Sequence, residues 1–526
     1  MMGKILEKPV VVILLLLVLS IYLFFFHSGR MALTDPDETF YAQAAKEMIQ
    51  KGEWLTPMLY GKPQFEKPIL FYWLLEASYK TFGINEFAAR FPSGLFGFLG
   101  LAAIYLLGRL LFNNRVGVFS AIALATNLEY LMLANACVTD MALSTLMLLG
   151  VLFFFYGQIR KKDYFYVLSS AAFAFAALTK GPIGILLPCF IIFVYLLLTK
   201  DSALLKKLKP ILLSSVVFVL IALPWYIVMY KLHANSFLDE FFGFHNITRF
   251  LTPEHKIGSG IYYNIPIVFG GFFPWSAFLP FGFWQMFKSK ERRASLFILL
   301  WFFIIFIFFS VSSTKLPTYI FPSFISLALI VGKLWDNFLN KHNEKWFFFG
   351  MRLSYFLLLS ATALSLIGAY IFIRMDYPEM VPGMLIAGLF LVLGMGLSLI
   401  AFLAKKFLAV FILVAYSVAL ILYPVVTLAL PLLEGYETDR PVCGIIMSHY
   451  KEGDVIASEK DFRPGVAFYT GVIPAYLSNS SNLLSYIREG RTVWGVLKQK
   501  NIVEDMNIVY RRGKKRLVTN SKEKAT

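Results

Sequence analysis

The repetition of long apolar segments constrains this chain more than any other feature of its sequence. A helix needs about 20 mostly apolar residues to cross a bilayer, and hydrophobic residues make up 58% of this chain, with a mean hydropathy of +0.67. These values exclude a soluble globular protein. The sequence therefore predicts an α-helical polytopic membrane protein with about thirteen spans, near 9–26, 92–112, 116–134, 141–159, 164–179, 182–199, 210–230, 264–287, 295–313, 316–334, 350–373, 382–404 and 407–431.

The first apolar segment begins like a signal peptide, because Lys4 and Lys8 precede it. It continues through Tyr22 to Phe26 without a small-residue cleavage site. We therefore expect it to be retained as the first membrane helix.

The distribution of lysine and arginine predicts the orientation, since short cytoplasmic loops are enriched in both. With thirteen spans and an inside amino terminus, the basic clusters occupy every second loop, which leaves the carboxyl terminus outside. This arrangement accounts for the net charge of +17 without a nucleic-acid partner. The clusters are Lys4/Lys8, Arg109/Arg115, Arg160-Lys161-Lys162, Lys206-Lys207/Lys209, Lys288/Lys290/Arg292-Arg293, Lys341/Lys345 and Lys405-Lys406.

The loops on the opposite side hold most of the unusual charged residues. Two of them are long, at 27–91 and 231–263, and the first is too long for a simple connector. Residues 37–50 have an acidic start and an apolar stripe, and residues 68–82 carry aromatic residues among leucines. Both segments are predicted to be interfacial helices along the membrane surface.

The composition changes after Leu432, where short apolar runs alternate with glycine, proline, asparagine and charged residues. This pattern predicts two units in the chain. Residues 1–431 form the transmembrane domain, and residues 432–526 form a small soluble α/β domain on the outer side.

An ordered set of motifs in residues 30–335 resembles the aminoarabinose transferase group, which comprises GT-C-type glycosyltransferases related to the protein O-mannosyltransferases. The first outer loop holds Asp37-Glu38-Thr39-Phe40-Tyr41-Ala42 and Phe65-Glu66-Lys67-Pro68. Each motif alone is weak, but their shared order is specific. The further matches are Thr139-Asp140-Met141, Leu178-Thr179-Lys180-Gly181-Pro182, His245-Asn246-Ile247-Thr248-Arg249-Phe250, Phe273-Pro274-Trp275 and Ser313-Thr314-Lys315-Leu316-Pro317-Thr318-Tyr319.

The resemblance implies a membrane glycosyltransferase that moves a sugar, such as aminoarabinose, from a polyprenyl (undecaprenyl) phosphate to a lipid or glycan acceptor such as lipid A. The expected location is the bacterial cytoplasmic (inner) membrane, with the site on the periplasmic side. The leaving group is a lipid phosphate, whose developing charge fixed cations stabilise best in a site with little water.

By family position, Lys67, Arg249 and Tyr319 are the expected clamp on the donor phosphate. Lys315 and Lys180 are further candidates in outer loops. For Lys315 the alternative is a side chain that extends from a span end to the interface. For Lys180 the alternative is a purely structural role.

The acceptor side needs a carboxylate that orients or deprotonates the attacking oxygen. The family's candidate is Asp37, with its neighbour Glu38 included in the expected catalytic set, and a capping role is the alternative for Asp37. Asp140 is a candidate second active-site acid, against the alternative of a helix N-cap. Asp35 precedes Pro36 and is interpreted as a turn residue.

Glu66, His245 and His255 are candidate ligands for a divalent ion such as Zn²⁺, because carboxylate and imidazole bind such ions. The chain has Asn246 beside them, and a solvated histidine is the alternative. No other cofactor is predicted, and we expect a monomer whose partners are the lipid-linked donor, the acceptor and membrane lipids.

Three other functions compete with this prediction. A protein O-mannosyltransferase-like enzyme would use a related donor, and a polysaccharide polymerase or ligase would act at the same face. A lipid-linked sugar flippase or transporter would perform no chemistry. Transporters place binding charges near the bilayer midplane, whereas ionisable residues here gather at one face, which favours an enzyme.

Overall fold

The computed structural model describes residues 8–201, 208–252, 260–477, 481–498, 506–513 and 515–521. The predicted residues Lys4, Lys206, Lys207 and His255 lie outside these ranges. Within them, the chain forms an α-helical membrane part, followed by a small mixed sheet with its own helices.

Every predicted span coincides with helix. In chain order these helices are Pro9–Ser20 with its extension Ile21–Phe25, Glu86–Leu111, Asn114–Ala125 with Leu128–Ala134, Thr139–Arg160, Tyr164–Lys180, Ile183–Leu198, Leu208–Phe237, Asn264–Gly271 with Leu279–Phe287, Arg292–Val311, Phe324–Lys341, Lys345–Asp376, Val381–Leu403 and Phe407–Pro424.

The predicted count of thirteen spans is not confirmed. Among the described residues, eight helices are long and apolar enough to cross a membrane, or ten if each of two bent pairs is one span. The pairs bend by 68° between Ala125 and Leu128 and by 111° between Gly271 and Trp275. Three apolar helices, near 9–25, 164–180 and 183–198, are shorter than the usual span length. The sequence shows only the length of an apolar segment, so it could not distinguish full spans from bent pairs and short helices.

The first loop is more structured than a surface loop. Its helices are Asp37–Lys51 and Leu70–Phe82, and strands β1 (Met58–Leu59) and β2 (Lys62–Pro63) form a hairpin between them. The hairpin turn places Tyr60 and Gly61 at φ values of 54° and 76°, a conformation that glycine adopts without strain. Both turn amides donate to the carboxylate of Glu47 at 2.9 Å.

The apolar stripe of helix Asp37–Lys51 faces protein and not lipid, and the helix's position at the membrane surface stays a prediction. Its apolar residues, including Ala42, Ala45 and Met48, are fully buried in protein. The helix packs between Leu70–Phe82 and a helix of the carboxyl-terminal unit, Arg463–Thr470. The apolar stripe recognised in the sequence is therefore a protein contact, because the carboxyl-terminal unit covers this loop.

The second long loop is largely helical. The span Leu208–Phe237 is kinked at Ala234, where φ is 46°, then continues as a π-helical stretch, Leu238–Thr248, and ends at Leu251. Trp225 packs edge-on against Phe237 at a ring-centroid distance of 5.7 Å, and Phe237 stacks on Phe241 at 5.4 Å. Aromatic packing therefore stabilises a helical conformation in a segment that was predicted to be a loop.

The carboxyl-terminal unit contains the predicted small α/β fold. Its five strands are ordered β4 (Ala475–Leu477), β3 (Val455–Glu459), β5 (Val493–Lys498), β7 (Lys515–Thr519) and β6 (Asn507–Arg512). Strand β3 pairs in parallel with β4 and β5, and β7 pairs antiparallel with β5 and β6. Its helices are Leu430–Glu437, Arg440–His449, Arg463–Thr470 and Ser481–Arg488.

Side chains of successive strand residues point to opposite faces of the sheet, and both faces are buried. Trp494, Val496 and Leu517 pack with helix Arg440–His449 on one side, and Leu497 and Val518 pack in a second core on the other. The unit therefore has a core of its own.

Direct bonds attach the carboxyl-terminal unit to the first loop. The amide of Leu33 donates to the Tyr469 hydroxyl at 2.7 Å, and Lys46 Nζ donates to the Phe468 carbonyl at 2.7 Å. Thr34 and Thr438 form an isolated antiparallel bridge. The carboxyl-terminal unit therefore holds the first loop in place through these contacts.

Candidate active site

A cavity of about 680 Å³ brings together residues from five separate segments of the chain. Its polar end is formed by Glu66, Lys67, Asp140, Lys180, His245, Arg249 and Tyr319. The remaining wall is apolar and includes Leu143, Met147, Ile183, Leu186, Leu187, Phe190, Phe308 and Phe309. The cavity therefore offers a charged end and a long hydrophobic surface to the same ligand.

Three of the charged side chains at the polar end form what we call the cavity cluster: Glu66, Lys67 and Arg249. Glu66 Oε1 lies 3.2 Å from Lys67 Nζ and 3.1 Å from Arg249 Nη1. Burial acts against the charged form of Glu66, but the two cations outweigh it and lower the pKa of this carboxyl to about 2. With one carboxylate and two cations, the cluster carries a net positive charge.

Lys67 itself lies in an unfavourable place for a cation. Burial, together with the neighbouring charges of Lys180 and Arg249, lowers the pKa of Lys67, and Glu66 offsets part of this effect. An anion in the cavity would remove much of that cost, because charges attract more strongly where water is scarce.

Asp140 and Lys180 form a second ion pair in the same cavity. Lys180 Nζ lies 2.6 Å from Asp140 Oδ1 and 5.1 Å from the centre of the Tyr319 ring. Asp140 stands in the first turn of helix Thr139–Arg160, but the N-cap position belongs to Val138. The capping alternative for Asp140 therefore does not hold, and its side chain turns to the cavity.

Asp37 is the first residue of helix Asp37–Lys51 and its side chain remains open to solvent. It does not line the cavity, but the charges of Glu66 and Lys67 both act on it. Loss of hydration, followed by the charges of Glu66 and Asp140, raises the pKa of Asp37. A carboxylate in such surroundings accepts a proton more readily than an ordinary aspartate.

Glu38 does not join this group, so its expected catalytic role is corrected. Arg90 binds both of its carboxylate oxygens, at 2.8 Å and 2.7 Å. The amides of Thr34 and Cys137 also donate to it. Despite burial, these contacts lower the pKa of Glu38. The side chain is buried and fully engaged, so it anchors the loop behind Asp37.

Arg90 is a residue that sequence reasoning missed. Its guanidinium also donates to the carbonyls of Ser28, Met31 and Ala32. It lies near the start of helix Glu86–Leu111, two residues ahead of the predicted span at 92–112. An arginine so close to an apolar run is energetically costly unless it is paired. Its position in the sequence could therefore have indicated a buried ion pair.

Lys315 is not brought into the cavity lining. It is buried and donates from Nζ to the carbonyl of Ser312 at 2.6 Å. This contact closes the turn that precedes Tyr319. The structure therefore supports neither a direct phosphate contact nor a side chain extending to the interface.

Asp35 forms the second charged group of the first loop, which we call the junction cluster: Asp35, Asp439 and Lys515. Lys515 Nζ lies 2.7 Å from Asp439 Oδ1 and 3.7 Å from Asp35 Oδ2. Thr39 Oγ1 donates to Asp35 at 2.7 Å. A Cβ at Gly465 would lie 2.2 Å from Asp35 Oδ1, so only glycine permits this approach. The turn interpretation of Asp35 missed this contact between domains.

The structure describes two of the three candidate metal ligands, Glu66 and His245. Among the described residues, no group of three or more histidine, cysteine, aspartate or glutamate side chains could hold one. Glu66 faces two cations, which oppose a bound metal ion. His245 lines the same cavity, and His255 lies outside the described residues.

Comparison with known proteins relates this geometry to a family. Residues 66–227 match the family described as dolichyl-phosphate-mannose-protein mannosyltransferase. An undecaprenyl phosphate-α-4-amino-4-deoxy-L-arabinose arabinosyl transferase of Photorhabdus laumondii is 30% identical over 58% of this chain and 56% of its own length. An uncharacterised protein of Aquifex aeolicus is 32% identical over 61% of this chain and 63% of its own length. The chain thus matches only a little over half the length of these relatives.

The solved structure of ArnT from Cupriavidus metallidurans bound to undecaprenyl phosphate superposes with a TM-score of 0.82. The match covers 98% of both chains at 22% identity. The resemblance to the aminoarabinose transferase group is confirmed. This group's fold extends over both the helical part and the carboxyl-terminal unit, so the predicted fold class is also confirmed, and the chain is a multi-pass membrane protein like ArnT.

Proposed function

We propose that this protein is a membrane glycosyltransferase that moves aminoarabinose from undecaprenyl phosphate to an outer-face acceptor such as lipid A. One observation carries the proposal: a single cavity joins a cationic end to a long apolar wall. This pairing suits a ligand made of a phosphate and a hydrocarbon chain, and ArnT, which has the same fold, was solved with undecaprenyl phosphate bound. The relatives' printed activity supplies the sugar.

The cations have the role of stabilising the leaving group. As the bond between the sugar's anomeric carbon and the phosphate oxygen breaks, negative charge grows on the lipid phosphate. Lys67 and Arg249 are already held by Glu66, so little reorganisation is needed when the charge appears. Tyr319 and Lys180 stand beside them as further donors.

Asp37 has the role of handling the attacking oxygen. An acceptor hydroxyl would lose its proton to the Asp37 carboxylate while its oxygen bonds to the anomeric carbon. An acceptor phosphate, already ionised, would lose no proton, and Asp37 would then orient it. Asp140, held by Lys180, completes the negative side of the site near the sugar.

The proposal sets this reaction on the periplasmic face of the bacterial inner membrane. The alternating basic clusters support an inside amino terminus. The carboxyl-terminal unit contacts the loop that carries Asp37, so the unit and the site share one side of the membrane. A monomer contains all the described parts of the site.

The test is transfer by purified full-length protein in detergent. Undecaprenyl phosphate-linked aminoarabinose and lipid A are supplied, and both glycosylated lipid A and free undecaprenyl phosphate are measured. We expect the two products in equal amounts. Release with no acceptor product, or lipid movement with neither product, would overturn the proposal.

Asp37→Asn tests the role of the Asp37 carboxylate in transfer. It should lower the transfer rate by about 10²- to 10⁴-fold, the usual worth of a general base, while undecaprenyl phosphate binding is retained. Asp376→Asn, the same change at an exposed helix end, serves as the control. Wild-type turnover in Asp37→Asn would remove Asp37 from the mechanism.

A further inference from the structure

A cavity of about 540 Å³ lies where the ends of several membrane helices meet. We call it the helix-end cavity. Its lining comes from the carboxyl-terminal ends of helices Glu86–Leu111, Thr139–Arg160 and Ile183–Leu198, and from the start of helix Arg292–Val311. It shares no lining residue with the candidate active-site cavity, so the two are separate sites.

The two cavities lie at opposite ends of the same helices. In helix Thr139–Arg160, Asp140 lines the active-site cavity and Gln158 lines the helix-end cavity. The 18 residues between them span about 27 Å of helix, close to the roughly 30 Å of a bilayer's hydrocarbon core. The helix that begins at Arg292 repeats the pattern, since its Phe308 lines the active-site cavity. The proposed orientation therefore places the helix-end cavity at the cytoplasmic face.

Cations outnumber carboxylates in the helix-end cavity. Lys290, Arg292 and Arg293 line it, together with Asp201 and Glu291. Asp201 Oδ2 lies 3.9 Å from Arg293 Nη1, a long distance for an ion pair. Among the described residues, Lys290 and Arg292 have no ion-pair partner, and both are exposed. The cavity therefore has an excess positive charge.

Glu291 takes little of this positive charge away, because a lysine outside the lining already neutralises it. Lys333 Nζ lies 2.8 Å from Glu291 Oε1, and the Ser289 hydroxyl donates to the other oxygen at 2.9 Å. Burial acts against the charged form, but these bonds outweigh it and lower the pKa of Glu291. The carboxylate is thus charged and already engaged, so it leaves the cations of the cavity available.

Two kinds of uncharged donor lie beside these cations. Helix Arg292–Val311 begins at the cavity, and its N-cap residue, Glu291, makes no side-chain bond to the first turn. The backbone amides at a helix start bind anions. On a neighbouring helix, Gln158 Nε2 is buried and has no hydrogen-bond partner among the described residues. A buried donor without a partner is costly, so an acceptor oxygen in the cavity would stabilise it.

The apolar part of the lining favours a lipid over a soluble anion. Leu110, Phe155 and Ile159 belong to membrane helices and line the cavity beside the donors. The side chain of Ile159 is 50% exposed at the end of its helix, where it can contact acyl chains. Basic pockets between helices on the cytoplasmic side of a membrane bind phospholipid headgroups. A phosphate joined to hydrocarbon chains matches both parts of this lining.

We propose that the helix-end cavity binds the phosphate of an anionic glycerophospholipid from the cytoplasmic leaflet. Lys290 and Arg292 hold the phosphate, and Gln158 donates to one of its oxygens. The choice of leaflet rests on the proposed orientation. The binding itself does not depend on sugar transfer, because the two cavities have no residue in common.

The first test is native mass spectrometry of purified full-length protein in detergent, with added phosphatidylglycerol. Phosphatidylcholine and the soluble headgroup fragment glycerol 3-phosphate are measured beside it. We expect phosphatidylglycerol to bind at least about fivefold more tightly than either, since each basic residue near the headgroup favours an anionic lipid by about this factor. Phosphatidylcholine or glycerol 3-phosphate bound as tightly as phosphatidylglycerol would overturn the proposal.

Variants test the residues of the cavity. Arg292→Ala should weaken phosphatidylglycerol about fivefold. Gln158→Leu keeps the size of the side chain but removes the donor, and should weaken the lipid about tenfold, as for loss of a hydrogen bond to a charged group. Lys288→Ala is the matched control, because Lys288 is exposed in the same loop but outside the lining. Equal loss in Lys288→Ala and Arg292→Ala, or normal binding by Gln158→Leu, would assign the lipid to a diffuse basic surface instead.

A second test distinguishes this cavity from the active-site cavity, which also suits a lipid phosphate. Lys67→Ala should lose affinity for undecaprenyl phosphate and keep its phosphatidylglycerol, whereas Arg292→Ala should show the reverse. Loss of phosphatidylglycerol in Lys67→Ala would place this lipid in the active-site cavity and contradict the inference. If the wild-type protein transfers no sugar but still binds phosphatidylglycerol through Arg292, the proposed function fails while the lipid site stands.

Discussion

The cavity cluster and the junction cluster are both built on the first loop, yet their compositions are reversed. The cavity cluster has one carboxylate and two cations, with distances of 3.2 Å and 3.1 Å. The junction cluster has two carboxylates and one cation, with distances of 2.7 Å and 3.7 Å. One therefore has an excess positive charge and the other an excess negative charge.

This difference in charge indicates that the cavity cluster binds a ligand and that the junction cluster attaches the carboxyl-terminal unit to the first loop. In the cavity cluster the surplus cation can be satisfied by an anion that enters the open cavity. In the junction cluster both carboxylates are buried between two parts of the protein, which favours their protonated forms. Burial accordingly raises the pKa of Asp35 and Asp439, while the cations lower that of Glu66 to about 2.

The largest expected effect comes from removing the only lysine of the junction cluster. Lys515→Met leaves two buried carboxyl groups without their cation, and breaking a buried pair in this way costs about 3–5 kcal/mol. The carboxyl-terminal unit should open more often. Alkylation of the buried Cys443, followed by peptide mass spectrometry, measures that opening.

Lys460→Met is the control for this change, since Lys460 is exposed on the same unit. Its Cys443 should be alkylated at the wild-type rate. A wild-type rate in Lys515→Met as well would mean that the junction cluster does not hold the unit in place.

The next effect tests the cavity cluster through its ligand. Lys67→Ala should weaken undecaprenyl phosphate binding by about 1.5–3 kcal/mol, the worth of a hydrogen bond to a charged group. Overall stability should change little, because the lost partner is mainly a ligand contact. Binding is measured with purified protein, and Lys62→Ala, an exposed lysine of the same loop, should bind normally.

If Lys67→Ala instead lowers thermal stability and leaves lipid affinity unchanged, the contrast between the clusters disappears. The cavity cluster would then fasten the loop, as the junction cluster does.

The smallest effect is a change in pH dependence. The folded pKa of Asp35 lies above its unfolded value, so the folded state binds the extra proton and stability falls as pH rises through that interval. Asp35→Asn does not titrate and keeps an oxygen for Thr39. It should remove this fall and raise stability at neutral pH by about 1 kcal/mol.

Cys443 alkylation between pH 4 and 8 measures this prediction, with Asp376→Asn as control. Glu66 must behave in the opposite sense, because its contribution is present above the ordinary glutamate pKa and is lost only as pH falls toward about 2. A fall in stability that persists in Asp35→Asn would assign the titration to another group.

Much of the fold could be predicted because hydrophobic length is a local signal. All the predicted spans coincide with helices, and a small mixed sheet follows the composition change after Leu432. Helix ends were less accurate. Helix Glu86–Leu111 begins before its predicted span because the Asn85 side chain caps it, accepting from the Ala88 amide, and Pro92 is accommodated inside it.

Sequence reasoning could propose site residues only where they belong to a recognisable motif. The roles expected for Asp37 and Lys67 came from a resemblance and stay predictions. Lys67 lines the cavity, and its charge acts on Asp37. Glu38 follows Asp37 directly, but adjacent residues on a helix point in different directions. Its partner Arg90 comes from a separate helix, so no local pattern distinguished the two carboxylates. The junction cluster was missed for the same reason.

The contact between Asp35 and Lys515 also has a consequence for biogenesis. Almost the whole chain separates these residues in sequence, so the ribosome makes the first loop long before strand β7 exists. The pocket of Asp35 can close only after strand β7 has been made and the carboxyl-terminal unit has folded. We therefore expect nascent chains to form every helix while the loop carrying Asp37 remains unfinished, and the site to be completed in one late step.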